Sequence, residues 1–231
     1  IFETDDPQKV IIHFTDEITA FNKIKKAVIK DKGVYCNGIS CEISRLLQKG
    51  GVPTHFIEQI SDTEQLCWKS QVIPMEVIVR NVIAGSMAQR LGLEEGIIPK
   101  EPVYDLCYKS DILCDPIIND YHAVALGLVS KEELERIYSL TKQVNSILTP
   151  VFKEIGITLV DFKIEFGHLS DGRLVMSDDI TPDSARFWDI ATGDRLDKDR
   201  FRKDNGHVGE AYMTVYERLT GKSRTRLLKY A

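Results

Sequence analysis

The stretch that best indicates the fold is residues 159–167, LVDFKIEFG, in which apolar and charged side chains alternate. A period of two is that of a β-strand, because successive side chains of a strand point to opposite faces. The predicted apolar face comprises Val160, Phe162, Ile164 and Phe166. The predicted charged face comprises Asp161, Lys163 and Glu165. The pattern therefore predicts a strand with one core face and one polar face.

A turn and a second strand are predicted to follow. Asp171-Gly172 is a strong signal for a β-hairpin, and residues 174–178 can return along the first strand. A two-residue loop would place Glu165 directly opposite Asp178. The Cβ atoms of such a pair lie about 4.5–5.5 Å apart on one face of the sheet.

Two carboxylates that face each other repel unless a cation lies between them. Mg²⁺ prefers carboxylate oxygens and is often bound by one or two of them together with nucleotide phosphates. The hairpin thus predicts a Mg²⁺ site at Glu165 and Asp178, and a β-bulge would substitute Asp179 for Asp178. The alternative is a solvated, charged strand face. Asp178 argues against it, because Asp178 shares its side of the strand with apolar Leu174 and Met176.

A possible anion site lies in residues 72–86, VIPMEVIVRNVIAGS, which is predicted to be a strand leading into a helix. Gly85 and Ser86 at the helix start offer backbone N–H groups and a hydroxyl to a phosphate, with Arg80 nearby. The alternative is an ordinary strand-to-helix connection capped by Ser86.

Two further arginines are candidates for anion binding. Arg186 follows the hairpin, and a guanidinium can bind a carboxylate or a phosphate through two parallel hydrogen bonds. Arg202 lies in the charged run 197–202, DKDRFR, which by itself is typical of a solvated helix start. The five histidines are scattered and have no ligand spacing.

The rest of the chain reads as strands followed by mixed helices and strands, an α+β order. The predicted β-rich runs are 10–14 and 65–82. One helix is predicted between these runs and ends at Gly50-Gly51. A second begins at a capping box formed by Ser130 and Glu133 and ends at Pro150. A third covers 208–219 and ends at Gly221. A lobe boundary is expected near 74–80, which gives an N-terminal antiparallel sheet lobe, 1–78, and a larger mixed lobe, 79–231.

Composition narrows the class of protein. The 231 residues are 43% hydrophobic, enough for a full core, and no apolar run approaches the roughly 20 residues of a membrane span. No secretory signal is visible, and the five cysteines form no metal or disulfide pattern, which together predict a cytoplasmic protein. The net charge of -5 disfavours nucleic-acid binding but leaves small anionic ligands possible.

Several long motifs resemble the SAICAR synthetase family over nearly the whole chain. Two signatures are intact, at 72–86 and 159–167. Supporting matches are FTDEITAFN at 14–22, KGVYCNGIS at 32–40, GVPTHFI at 51–57, SDDITPDSARFWD at 177–189 and DKDRFR at 197–202. Several motifs in the family's order are more specific than any one of them.

The resemblance implies a bilobal, kinase-like or ATP-grasp-like α+β fold with ATP in the cleft between the lobes. It also implies the reaction and its partners, all small molecules: ATP, L-aspartate and carboxyaminoimidazole ribonucleotide (CAIR) would give SAICAR, ADP and phosphate in purine biosynthesis. Mg²⁺ would be the metal. A homodimer is compatible with this family, and the sequence does not distinguish it from a monomer.

The resemblance also assigns residues. Glu165 and Asp178 would bind Mg²⁺ and, with Lys163, form the catalytic set. The ATP side would comprise Lys69, Val72, Glu76 and Lys109. The ribonucleotide and its carboxylates would be held by Arg80, Ser86, Asp115, Asp161, Lys163, Arg186 and, less directly, Arg202.

One family element lies outside this sequence. A G-K-A-K strand over the ATP phosphates is expected just before Ile1. Two other functions use the same features: a phosphotransferase acting on another small molecule, and a nucleotide-binding protein without activity.

Overall fold

The computed structural model describes residues 1–21 and 23–229, with side chains up to residue 221. Its strands are β1 (Phe2–Glu3), β2 (Lys9–His13), β3 (Glu17–Ala20), β4 (Lys25–Val28), β5 (Phe56–Gln59), β6 (Glu64–Trp68), β7 (Gln71–Arg80), β8 (Val103–Tyr108), β9 (Ile117–Ile118), β10 (Ile157–His168), β11 (Leu174–Met176) and β12 (Ala185–Asp189). Its α-helices are α1 (Lys32–Lys49), α2 (Gly85–Leu91), α3 (Asp120–Ala125), α4 (Lys131–Glu154), α5 (Asp199–Arg202) and α6 (Val208–Lys229).

Three antiparallel sheets organise these strands. The first has the order β1-β2-β6-β5, and the second has the order β11-β10-β7-β8-β9, with β12 also paired to β10. Strands β3 and β4 form a separate two-stranded hairpin. The predicted α+β class is confirmed. The predicted lobe boundary between 78 and 79 lies within β7 and stays a prediction.

Strand β10 forms as the alternation predicts, with one local exception. Phe162, Ile164 and Phe166 are buried in the main core. A β-bulge between Leu159 and Asp161 breaks the pairing with β12, so Leu159 also faces that core. Val160 instead packs in a small separate cluster. The bulge therefore reverses the alternation at the start of the strand.

The predicted hairpin register is wrong by one residue. Phe166 pairs with Met176, and the N–H of Ser177 donates to the carbonyl of Glu165 at 2.9 Å. Ser177, rather than Asp178 or Asp179, therefore lies opposite Glu165. A two-residue type I′ loop needs positive φ at both central residues, and of Asp171 and Gly172 only Gly172 has it, at 83°. The loop consequently has three residues, closed by Leu169 and Arg173.

Helix α1 ends at Gly50 as predicted, and α4 and α6 begin where predicted but extend beyond their predicted ends. The Ser130 side chain accepts from the N–H of Glu133, whereas the Glu133 carboxylate contacts His168 and does not complete the capping box. Helix α4 continues past Pro150, which lies in its last turn, because Phe152 beyond it is fully buried. Helix α6 likewise extends beyond Gly221. Within the described residues, no helix is long and apolar enough to cross a membrane.

Candidate active site

Strand β10 pairs with β7 in the second sheet. The polar face of β10 borders a cavity of about 810 Å³. The antiparallel register places Asp161 beside Arg80 and Glu165 beside Glu76. Of the residues predicted for the site, those that line this cavity are Glu76, Arg80, Ser86, Asp115, Asp161, Lys163, Arg186 and Arg202. The fold thus brings together side chains from five separate segments of the chain.

Arg80 and Asp161 form the buried end of the site. Arg80 is 2% exposed; its Nε donates to Asp105 at 2.7 Å, and its Nη1 lies 3.4 Å from Asp161. The third nitrogen, Nη2, donates to the Ser86 hydroxyl at 3.2 Å. Burial raises the pKa of Asp161, and the arginines partly offset this effect. This network fixes the direction of the Arg80 guanidinium before any ligand binds.

Arg186 links Asp161 to helix α5. Its Nη1 donates to Asp161 and its Nε to Asp199, both at 2.8 Å, and Arg202 donates to the same Asp199 at 2.6 Å. Burial alone would lower the pKa of Arg186, but the neighbouring carboxylates raise it instead. A Cβ on Gly85 would lie 2.3 Å from Arg186 Nη2, so only glycine leaves room for this arginine.

The helix start at Gly85 differs from the predicted phosphate site. The Gly85 N–H already donates to Glu95 at 3.0 Å, and the Ser86 hydroxyl is held by Arg80. The anion-binding potential of this region therefore rests on side chains, chiefly Arg80 and Arg186, more than on the backbone of a short helix.

Two carboxylates do face each other across a strand pair, but they belong to Glu76 and Glu165 on β7 and β10. Both residues are 5% exposed. Lys163 Nζ lies between them, 2.7 Å from Glu76 and 3.5 Å from Glu165, and Lys109 also pairs with Glu165. Burial raises the pKa of Glu76, partly offset by Lys163. Burial by itself would lower the pKa of Lys163, but three carboxylates outweigh it and raise the value.

Asp178 lies next to this cluster. Its Oδ2 atom is 4.0 Å from Lys163 Nζ. That oxygen is inaccessible to solvent and has no hydrogen-bond partner within the described residues, although the side chain as a whole is 21% exposed. Burial, together with the negative charges of Asp179 and Glu165, raises the pKa of Asp178 to about 8. An unpartnered buried carboxylate oxygen is the type of group that a cation satisfies.

Other predicted residues lie outside the cavity lining. Lys69 pairs with Glu3 at 3.1 Å, and Val72 is 39% exposed at the start of β7. Lys109, Glu165 and Asp178 are connected to the cavity through Lys163. In the part of the chain that the structure describes, no group of three or more His, Cys, Asp or Glu side chains is arranged to hold a metal.

Sequence reasoning missed several residues of the site. The tip of the β3–β4 hairpin lines the cavity with Thr19 and Lys23, and Lys198 and Asp183 line another part of it. Lys25 attaches the hairpin to the α5 segment by donating to the carbonyl of Phe201. Most of these residues lie within or beside the quoted family motifs. The motifs could therefore have indicated them, but the sequence analysis assigned their side chains no role.

The fold and the site define an α+β enzyme with a polar cavity for small anionic ligands. The whole arrangement matches a known family: the SAICAR synthetase model matches residues 1–219, and the chain belongs to that family. Its members are ATP-using ligases of purine biosynthesis, so the predicted family, fold and kind of enzyme are confirmed.

Individual relatives agree. The chain is 53% identical over 220 residues to the phosphoribosylaminoimidazole-succinocarboxamide synthase of Clostridium beijerinckii, covering 95% of this chain and 94% of the relative. The crystal structure of the synthase from Ehrlichia chaffeensis has a TM-score of 0.93 at 42% identity, covering 95% and 94%. A SAICAR synthetase in complex with ADP has a TM-score of 0.92 at 45% identity, with the same coverage.

Proposed function

We propose that this chain joins L-aspartate to CAIR with the use of ATP, giving SAICAR, ADP and phosphate. The observation that carries the proposal is the pair of arginines, buried Arg80 and half-buried Arg186, fixed around Asp161 beside Lys163. The two arginines are held in position to bind the phosphate of a substrate. Lys163 lies beside them and can contact the phosphoryl group during its transfer from ATP. The family and the ADP-bound relative support the same reading.

The chemistry requires activation, because a carboxylate anion resists attack by an amine. In the first step, an oxygen of the CAIR carboxylate attacks the γ-phosphorus of ATP, and ADP leaves. In the second step, the amine of L-aspartate attacks the carbonyl carbon of this acyl phosphate. The amide bond forms, phosphate leaves with the electron pair of the broken C–O bond, and the neutral amine nitrogen releases one proton and keeps the other as the amide N–H. Preoriented cations stabilise the charge that develops on phosphate oxygens.

The residues of the cavity divide between these steps. Arg80, Ser86 and Arg186 bind the ribonucleotide phosphate or carboxylates, with Arg202 and Asp115 at the cavity wall. Asp161 holds both arginines in position and, with Lys163, contacts the imidazole carboxylate and amino region. The elevated pKa of Lys163 keeps it cationic at neutral pH, which suits a role beside the transferred phosphoryl.

The nucleotide side of the proposal rests on family resemblance. Lys69, Val72, Glu76 and Lys109 lie along β7 and the neighbouring ends of β6 and β8. Lys109 is already close to Glu165, so nucleotide phosphates and Glu165 would share its charge.

A Mg²⁺ ion fits the residues at Glu165 and Asp178. The inaccessible, unpartnered Oδ2 of Asp178 is a ready oxygen ligand, and Glu165 lies beside it against Lys163. When bound, Mg²⁺ would neutralise charge on the transferring phosphoryl group. With only two carboxylates, the remaining ligands would be phosphate oxygens and water.

Product formation from the three substrates tests the proposal. SAICAR should appear only with ATP, L-aspartate and CAIR together, and phosphate release with neither L-aspartate nor CAIR present would contradict the ligase. Glu165→Ala should abolish turnover and leave the circular dichroism spectrum unchanged, because it removes one of two metal ligands. The matched control is Glu135→Ala, an exposed residue on α4. Near-normal Mg²⁺-dependent activity of Glu165→Ala would contradict the metal assignment.

Two further parts of the proposal concern the molecule as a whole. A cytoplasmic location is supported by four buried cysteines that form no disulfide within the described residues: Cys36, Cys41, Cys67 and Cys107. A homodimer stays a prediction, to be tested by light scattering.

A further inference from the structure

Lys198 lies at the wall of the cavity, directly before α5. Its side chain is 18% exposed, and its nearest carboxylate is that of Asp183, with Nζ 3.9 Å from Oδ1. That separation exceeds hydrogen-bond distance. Within the described residues, the Lys198 ammonium therefore donates no hydrogen bond that would satisfy a half-buried charge.

Asp183 does not supply the missing hydrogen bond, because its carboxylate is held by two other donors and lies 3.9 Å from Lys198 Nζ. Lys32 Nζ lies 2.7 Å from Oδ2, and the hydroxyl of Tyr212 donates to Oδ1 at 2.9 Å. Lys32 is 4% exposed and pairs with Asp183 as a buried ion pair. Lys32 thus neutralises the charge of Asp183, and Lys198 adds a further positive charge to the cavity.

The other buried or half-buried cations of the cavity each have a carboxylate at close range. Arg80 and Arg186 each contact two carboxylates, Lys163 contacts Glu76, and Arg202 contacts Asp199. Lys198 differs from them in having only the distant, shared Asp183. A cation withdrawn from water without a partner is costly, so such a group in a binding cavity indicates an anionic ligand.

The surroundings of Lys198 reinforce this argument. Burial lowers its pKa, Asp183 raises it, and the positive charges of Arg202, Lys32 and Lys163 lower it further. A carboxylate placed among these groups would be attracted by several cations at once. Lys163, the residue assigned to the activated carboxylate, lines the same cavity as Lys198.

We propose that Lys198 binds a carboxylate of the amino-acid substrate, L-aspartate, and orients its amine toward the activated carboxylate beside Lys163. The inference rests on the proposed function and deepens it, because it assigns the second substrate a place. L-aspartate carries two carboxylates, and the ribonucleotide already has Arg80 and Arg186. A lysine ammonium makes a compact point contact, which suits one carboxylate oxygen.

Steady-state kinetics of Lys198→Met tests the inference. The KM for L-aspartate should rise about 10- to 100-fold, the range expected for loss of a charged hydrogen bond, with the KM values for ATP and CAIR nearly unchanged. Lys198→Arg should restore much of the affinity, because it keeps the charge. The control is Lys203→Met, which removes a lysine from the end of the same segment that pairs with Glu95.

The possible outcomes distinguish failure of the proposed function from failure of the assignment of Lys198 to L-aspartate. Wild-type protein that forms no SAICAR would overturn the proposed function and this inference with it. Active wild type, combined with a Lys198→Met variant whose CAIR affinity falls instead, or whose L-aspartate affinity is unchanged, would overturn the inference alone. Melting curves of each variant check folding, and if Lys198→Met unfolds, Lys198→Gln provides the same kinetic test.

Discussion

Replacement of Lys163 by methionine should destabilise the ligand-free protein strongly at neutral pH. Lys163 Nζ lies 2.7 Å from Glu76 and 3.5 Å from Glu165, and these carboxylates face each other across two central strands. At an effective dielectric constant of about 20, the two attractions amount to about 6 and about 5 kcal/mol. Desolvation of the three charges offsets several kcal/mol of this sum.

Breaking a buried ion pair by removing one partner typically costs about 3–5 kcal/mol. The lower end applies here, because Lys109 still pairs with Glu165 and lies 4.0 Å from Glu76, whose charge it partly compensates. We therefore expect Lys163→Met to lower the free energy of unfolding by about 3 kcal/mol at pH 7.

The loss should depend on pH. Burial already raises the pKa of Glu76 in the wild type, and removal of Lys163 raises it further. A carboxyl whose pKa is raised in the folded state stabilises the fold below its unfolded pKa, and this stabilisation is lost as the pH rises through the folded value. The difference between variant and wild type should thus be smaller at pH 5 than at pH 7.

Urea denaturation followed by circular dichroism, without nucleotide or Mg²⁺, measures both quantities. Lys69→Met is the matched control, since Lys69 forms an exposed pair with Glu3 and should contribute less than about 1 kcal/mol. A loss for Lys163→Met below about 1 kcal/mol at pH 7 would refute the reasoning. An equal loss at both pH values would refute the assignment of the cost to Glu76.

Two further predictions concern stability away from the cavity. Gly33→Ala should cost about 1–3 kcal/mol in thermal denaturation, because its Cβ would lie 2.4 Å from the backbone oxygen of Phe14. Gly221→Ala, with open space around it, should be neutral or slightly stabilising, and equal costs for both would contradict the steric argument. Burial lowers the pKa of His55 to about 4, so the wild type should lose up to about 3 kcal/mol as the pH falls from 6.5 to 4. His55→Leu should reduce this acid sensitivity in melting curves, and unchanged sensitivity would exclude His55 as its source.

The polar face of β10 shows how far local pattern extends. The alternation around Asp161, Lys163 and Glu165 predicted a strand and the side on which its charges lie, because the period of a strand is a local property. Its pairing with β11 was predicted one residue out of register. Register depends on the loop conformation, and the backbone at Asp171 did not adopt the positive φ that a two-residue loop requires.

Family motifs carried the prediction further than pattern alone. They predicted that Arg80 and Arg186 bind the substrate, and both residues line one cavity. They did not distinguish residues that face the cavity from neighbours in the same motif. Lys198 stands in a quoted motif, yet its lack of a close carboxylate became visible only when Asp183 and Lys32 were located around it.

From the order of its residues alone, this chain could be assigned to an α+β ligase family with a charged central strand. Those features depend on short-range periodicity and on motif identity. The facing pair of Glu76 and Glu165 and the contact of Arg80 with Asp161 depend on which strands become neighbours, across more than 80 positions of sequence. Only tertiary packing brings such distant groups within a few ångströms, and burial there raises the pKa of Glu76 and of Asp161. The sequence patterns therefore determine the strands, and the packing of those strands determines which charged groups meet in the cavity.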